Sequence, residues 1–70
     1  MNKIWHGNTV CDFCNQEIKE GRLYDAKTVH GCWAVMCHNC YIKYGIGVGT
    51  GLGQRYEYNK TTKQFEKKRG

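Results

Sequence analysis

Four of the five cysteines fall into two pairs, "CDFC" at Cys11 to Cys14 and "CHNC" at Cys37 to Cys40, with 22 residues between the pairs. Tetrahedral zinc takes four soft ligands at about 2.3 Å, and two cysteines three apart on a tight turn bring both sulfurs to one ion. Two such turns complete a closed four-thiolate shell. The spacing therefore predicts one structural Zn2+ held by Cys11, Cys14, Cys37 and Cys40. Iron accepts the same four-thiolate geometry, so the residues define the site more firmly than the ion. A catalytic zinc needs an open position for water, and four cysteines leave none. Two redox-active C-x-x-C pairs would need a βαβ frame of the thioredoxin kind, for which 70 residues are too few.

The remaining ligand-type residues read as bystanders. Cys32 in "HGCWAV" has the character of a small half-buried strand or turn residue. His6, His30 and His38 read as surface or hydrogen-bonding histidines, His38 pointing out of its own knuckle. A second chemistry-bearing stretch is "GIGVGTGLGQ", Gly45 to Gln54, with glycine at every second position. Dinucleotide and Walker phosphate loops both need glycines five apart. An every-second-residue run cannot supply that odd spacing. The expected role is a helix cap at Gly45 followed by an extended segment. Ile46, Val48, Thr50 and Leu52 would face the core there, opposite a bare backbone that something can approach closely.

The elements that must position the cysteines follow from local signals. Asn15, after the first pair, tolerates the left-handed conformation a knuckle turn demands. Residues 22–26 and 32–36 read as two strands joined by "KTVHG", with Ala34 and Met36 on one face and Trp33 and Val35 on the other. "NCYIKYG" reads as a short helix. Cys40 would lie in its first turn, where the dipole favours thiolate, and Ile42 would turn toward the core. Residues 54–70 read as a second hairpin with its turn at "NKTT", residues 67–70 forming a frayed basic tail. Ile4 and Trp5 are expected to pair as a short strand or to lie over the core.

Seventy residues make one domain, 1–70, with too small a core to stand without a staple. No apolar run reaches membrane-spanning length and no secretory signal precedes the cysteines, so a reducing cytoplasm is the expected compartment. The net charge of +5 lies wholly in residues 36–70; before that, four basic and four acidic side chains cancel. Zinc with four thiolates would bring the folded charge to about +3. Lys43, Arg55, Lys60 and Lys63, interleaved with Tyr56 and Tyr58, form an aromatic-basic set of the kind that tracks phosphates and stacks bases.

Knuckle, hairpin, then knuckle at a helix start resembles the treble-clef zinc finger over residues 11–44. More specifically, Trp33, Ala34, Met36, Cys37, Cys40, the glycines from Gly45 to Gly53, Gln54 and Tyr56 look like a group of very small zinc-finger proteins of tailed-bacteriophage genomes. The first knuckle departs from the common treble-clef form, carrying Asp12 where Pro is frequent and Asn15 where Gly is. The expected fold is thus a small zinc-stabilised α+β domain: a treble clef followed by a Gly-rich segment and a C-terminal β-hairpin. The resemblance implies a phage setting inside a host cytoplasm. The expected function is non-enzymatic binding of nucleic acid through the basic-aromatic half. The alternative is a protein-binding zinc module acting on a host or phage complex through Trp5, Trp33 or the glycine segment. A treble-clef nuclease reading would rest on His30 alone.

Overall fold

The computed structural model describes residues 4–69; residues 1–3 and 70, the two ends of the expected 1–70 domain and the last residue of its expected tail, lie outside it. Four strands and one helix follow in the order β1 (Arg22–Lys27), β2 (Trp33–Cys37), α1 (His38–Tyr44), β3 (Gly53–Asn59) and β4 (Gln64–Arg69). All strand pairs are antiparallel, in one sheet of order β2-β1-β3-β4. The expected C-terminal hairpin therefore does not stand apart: β3 adds to the free edge of β1, from Arg22 against Glu57 to Ala26 against Gly53. Lys67, Lys68 and Arg69, expected to fray, are strand residues of β4.

Cross-strand partners share a face of the sheet. Leu23, Cys37 and Tyr56 are partners on one face, and Tyr24, Met36 and Arg55 on the other. Helix α1 covers the second face, where the Tyr41 ring stacks on Tyr24 at 3.9 Å with an interplanar angle of 4°. Trp5 covers the first, its ring centroid 5.3 Å from that of Tyr56. Tyr56, Leu23, Met36 and Cys11 are wholly buried. Ala34 and Met36 are buried while Trp33 is half exposed, as the alternation predicts. Ile42 reverses its expectation at 65% exposure. The helix docks through Tyr41, and a residue one step on is rotated by about 100° away from that contact.

Both sheet edges are covered. Ile4 bridges to Glu66 and Trp5 N–H donates to the Phe65 carbonyl at 2.9 Å, closing part of the β4 edge. The β2 edge is taken by the first cysteine turn. Such cover is what keeps an open edge from pairing with another chain.

The glycine segment is a compact loop rather than an extended strand lying on the core. Gly45 ends α1, its N–H donating to the Tyr41 carbonyl at 2.8 Å. Its backbone is extended (φ −76°) instead of left-handed, and a side chain there would strike the Tyr41 ring. Gly49 and Gly53 bridge each other around a turn in which Gly51 sits at φ +80°. Only Val48 of the four alternating side chains packs on the core; Ile46 and Leu52 are exposed. The close approach expected of a bare backbone occurs at Gly53. A Cβ there would lie 2.7 Å from the Ala26 Cα, so β1 and β3 can pair at that register only over glycine.

Candidate metal centre

Val10 bridges to Glu17, and Ile18 N–H donates to the Thr9 carbonyl at 2.8 Å. These contacts close a small loop with Cys11 and Cys14 at its tip. Inside it, Asn15 N–H donates to the Cys11 carbonyl at 2.9 Å, with Asn15 in the left-handed region at φ 61° as expected. Asp12 then ties the loop to β2 twice. Its N–H donates to the Val35 carbonyl at 2.8 Å, and its Oδ2 accepts the Val35 N–H at 2.8 Å. Asp12 is thus the residue that docks this turn on the sheet. Phe13 adds a third tie by stacking on Tyr44 at the end of α1, with centroids 4.4 Å apart.

The second pair straddles the junction of β2 and α1. Cys37 ends the strand and is the N-cap of the helix, and Cys40 lies in the first turn, 8% exposed. The Sγ atoms of Cys11, Cys14, Cys37 and Cys40 lie within 4.8 Å of one another, and those of Cys14 and Cys37 are 3.9 Å apart. A regular tetrahedron with metal–sulfur bonds of about 2.3 Å has edges of about 3.8 Å. All four residues of the sequence prediction therefore converge on one point, and all are free thiols. The donor set fits a thiophilic ion such as zinc.

Charge explains why this cluster calls for a cation. Burial opposes ionisation of Cys11, but backbone N–H groups of Cys14, Cys37 and Phe13 outweigh it and bring the thiol down to about 6. Burial and then the neighbouring sulfurs push Cys40 up to about 12. The N–H of Gln16 favours the ionised form of Cys14, yet burial and the Cys11 and Cys37 sulfurs prevail and raise it. The helix start therefore does not make Cys40 the favoured thiolate. The donors converge on Cys11 instead. Four sulfurs this close cannot all ionise unaided, and a bound dication is what lets them do so.

Cys32 is exposed near the β1–β2 turn, 3.6 Å from the Thr28 hydroxyl and outside the four-sulfur cluster. The His38 ring turns away from the sulfurs, its Nδ1 hydrogen-bonded with the Tyr24 hydroxyl at 2.9 Å. His30 is exposed beside Phe13 and Tyr44, and His6 is exposed.

The aromatic-basic residues do not form one surface. Tyr56 is wholly buried, its hydroxyl donating to Gln54 Oε1 at 2.8 Å, and cannot stack on a base. Trp5 closes over it, with ring centroids 5.3 Å apart. Tyr58 is half buried, edge-on to Phe65. Arg55 pairs with Glu57 at 3.0 Å. Lys60 and Lys63 are exposed in the β3–β4 turn, near the Arg22 end of β1. Lys43 is exposed in the last turn of α1, close to Val29 at the other end of that strand, roughly 17 Å away along β1.

Among the described residues no helix is long and apolar enough to cross a membrane. Comparison with protein-family models, with curated proteins and with solved structures finds no match to this chain.

Proposed function

We propose that this chain is a non-enzymatic, zinc-stapled binding module of treble-clef type that recognises another protein. The order of cysteine turn, hairpin and cysteine turn at a helix start supports the treble-clef reading. The likeness to small phage zinc fingers supports a role in an infected cell. One observation carries the choice of partner. Val29, Trp33, Ile42, Ile46 and Leu52 are all exposed, Val29 at 61%. Four of them lie on segments that bond to one another at one end of the sheet. Lys27 N–H donates to the Leu52 carbonyl and Val29 N–H to the Tyr44 carbonyl, each at 2.8 Å, and Trp33 is the cross-strand partner of Lys27. Ile46 N–H reaches the Lys27 carbonyl at 3.4 Å. Single exposed hydrophobes need no explanation, but adjoining ones on so small a domain are characteristic of interaction sites. A tryptophan among them is a favoured anchor.

The nucleic-acid reading keeps one supporting observation, the exposed Lys60 and Lys63 at the hairpin tip with Lys68 and Arg69 on β4. Tyr56 has left that surface, so phosphate contacts without base stacking are what remain. Affinity capture from phage-infected extract, set beside titration with single-stranded and duplex nucleic acid, separates the two. The protein reading expects a defined partner that survives high salt and is lost by Trp33→Asp together with Leu52→Asp while zinc content stays at one per chain. Tight nucleic-acid binding that falls steeply with salt and ignores both substitutions would overturn it.

A further inference from the structure

The four sulfurs are not equally reachable. Cys11 and Cys40 are buried, Cys37 is partly buried and Cys14 is exposed. Cys14 is therefore the sulfur most open to a solute. A cleft of about 350 Å³, lined by Gln16, Glu17, Arg22 and His38 among others, also reaches Cys37. Cys11, Cys14 and Cys40 do not line it. The Sγ atoms of Cys14 and Cys37 are 3.9 Å apart.

We infer that Cys14 is an oxidation site of this protein, that its partner is Cys37, and that hydroperoxides are the class of reactant. The reaction rests on the zinc reading above. The Cys14 thiolate attacks the hydroperoxide O–O bond, forming a sulfenic acid and releasing the alkoxide, which is hydroxide where the oxidant is hydrogen peroxide. The Cys37 thiolate then attacks that sulfur, forming the Cys14–Cys37 disulfide and releasing hydroxide. Two electrons leave the two sulfurs and reduce one peroxide. Cys11 and Cys40 alone cannot hold the ion, and the tie between the first knuckle and the helix start passes from metal to disulfide. Cys32, exposed but outside the cluster, has no sulfur partner among the four and takes no part.

The test uses zinc-loaded full-length protein treated with hydrogen peroxide, zinc release followed with a chelating dye and disulfides located by peptide mapping. The expected result is one zinc released per Cys14–Cys37 disulfide, unchanged in Cys32→Ser. Cys14→His keeps a four-ligand set that cannot form the disulfide, and should release zinc at least about tenfold more slowly. If that variant fails to fold, the map of the unaltered protein decides. A first disulfide between Cys11 and Cys40, oxidation confined to Cys32, or equal release from Cys14→His would overturn the inference. Zinc-loaded protein that keeps its ion through oxidation overturns this inference alone; protein that takes up no zinc overturns the zinc reading and this one with it.

Discussion

The two ends of the sheet are held by different physics. The β2–α1 end is gathered around four sulfurs, which two short sequence spacings bring to one point where a metal ion could be held. The β3–β4 end is held by a buried tyrosine, a tryptophan from the N-terminal segment and a glycine that lets two backbones meet. An end of the first kind tolerates a very small core once an ion is bound, because one ion replaces many contacts. The second depends on side chains far apart in sequence agreeing on a register.

Removing the metal strikes the first end and should have the largest effect. Chelation, or Cys37→Ser, should abolish cooperative folding, since structural zinc contributes roughly 10–16 kcal/mol in comparable small domains. Circular dichroism and near-ultraviolet spectra check it; a chelated protein with native spectra would mean that the β3–β4 end suffices by itself. Tyr56→Ala strikes the second end. It should cost about 3–5 kcal/mol in urea unfolding while zinc stoichiometry stays at one, because Leu23 of β1 stands between Tyr56 and Cys37 in the sheet.

The glycines sharpen the comparison. Gly53→Ala should cost about 3 kcal/mol, since the new Cβ meets the Ala26 backbone. Gly51→Ala should cost only about 1 kcal/mol, because φ +80° is its single difficulty and no atom lies within 4 Å of the added carbon. Equal costs in thermal unfolding would show that β1 and β3 are not packed through Gly53.

Alkali should also find the second end. Burial, and then the Asp25 carboxylate, holds the Tyr56 phenol above its ordinary pKa of 10.0. The folded state keeps that proton longer than the unfolded chain. The stability linked to it is complete below the unfolded value and is lost as pH rises from there through the folded one. Tyr56→Phe should therefore move the alkaline unfolding midpoint upward, read by far-ultraviolet circular dichroism. The last expected change lies in the β3–β4 turn and is also stabilising. Lys63 sits at φ 58° in the β3–β4 turn, and Lys63→Gly should stabilise the protein by about 1 kcal/mol in thermal melts.

Much of this molecule is local and was therefore readable in the chain. The two cysteine pairs name their own partners because a three-residue spacing on a turn leaves the sulfurs one place to meet. Asn15 announces its left-handed turn, and Ala34 and Met36 announce their face, by residue type and period alone. Long-range choices were not readable. Ile42 looked like a core residue until Tyr41 took the contact with Tyr24, and Tyr56 looked like a surface ring until Trp5, 51 positions earlier, closed over it. The alternating glycines carried a true signal of close backbone approach without saying where; only the pairing of β3 with β1 put it at Gly53. Spacing along the chain determines what a single turn can do. Which of two amphipathic faces is buried depends on what arrives from elsewhere, and that is decided only when the sheet assembles.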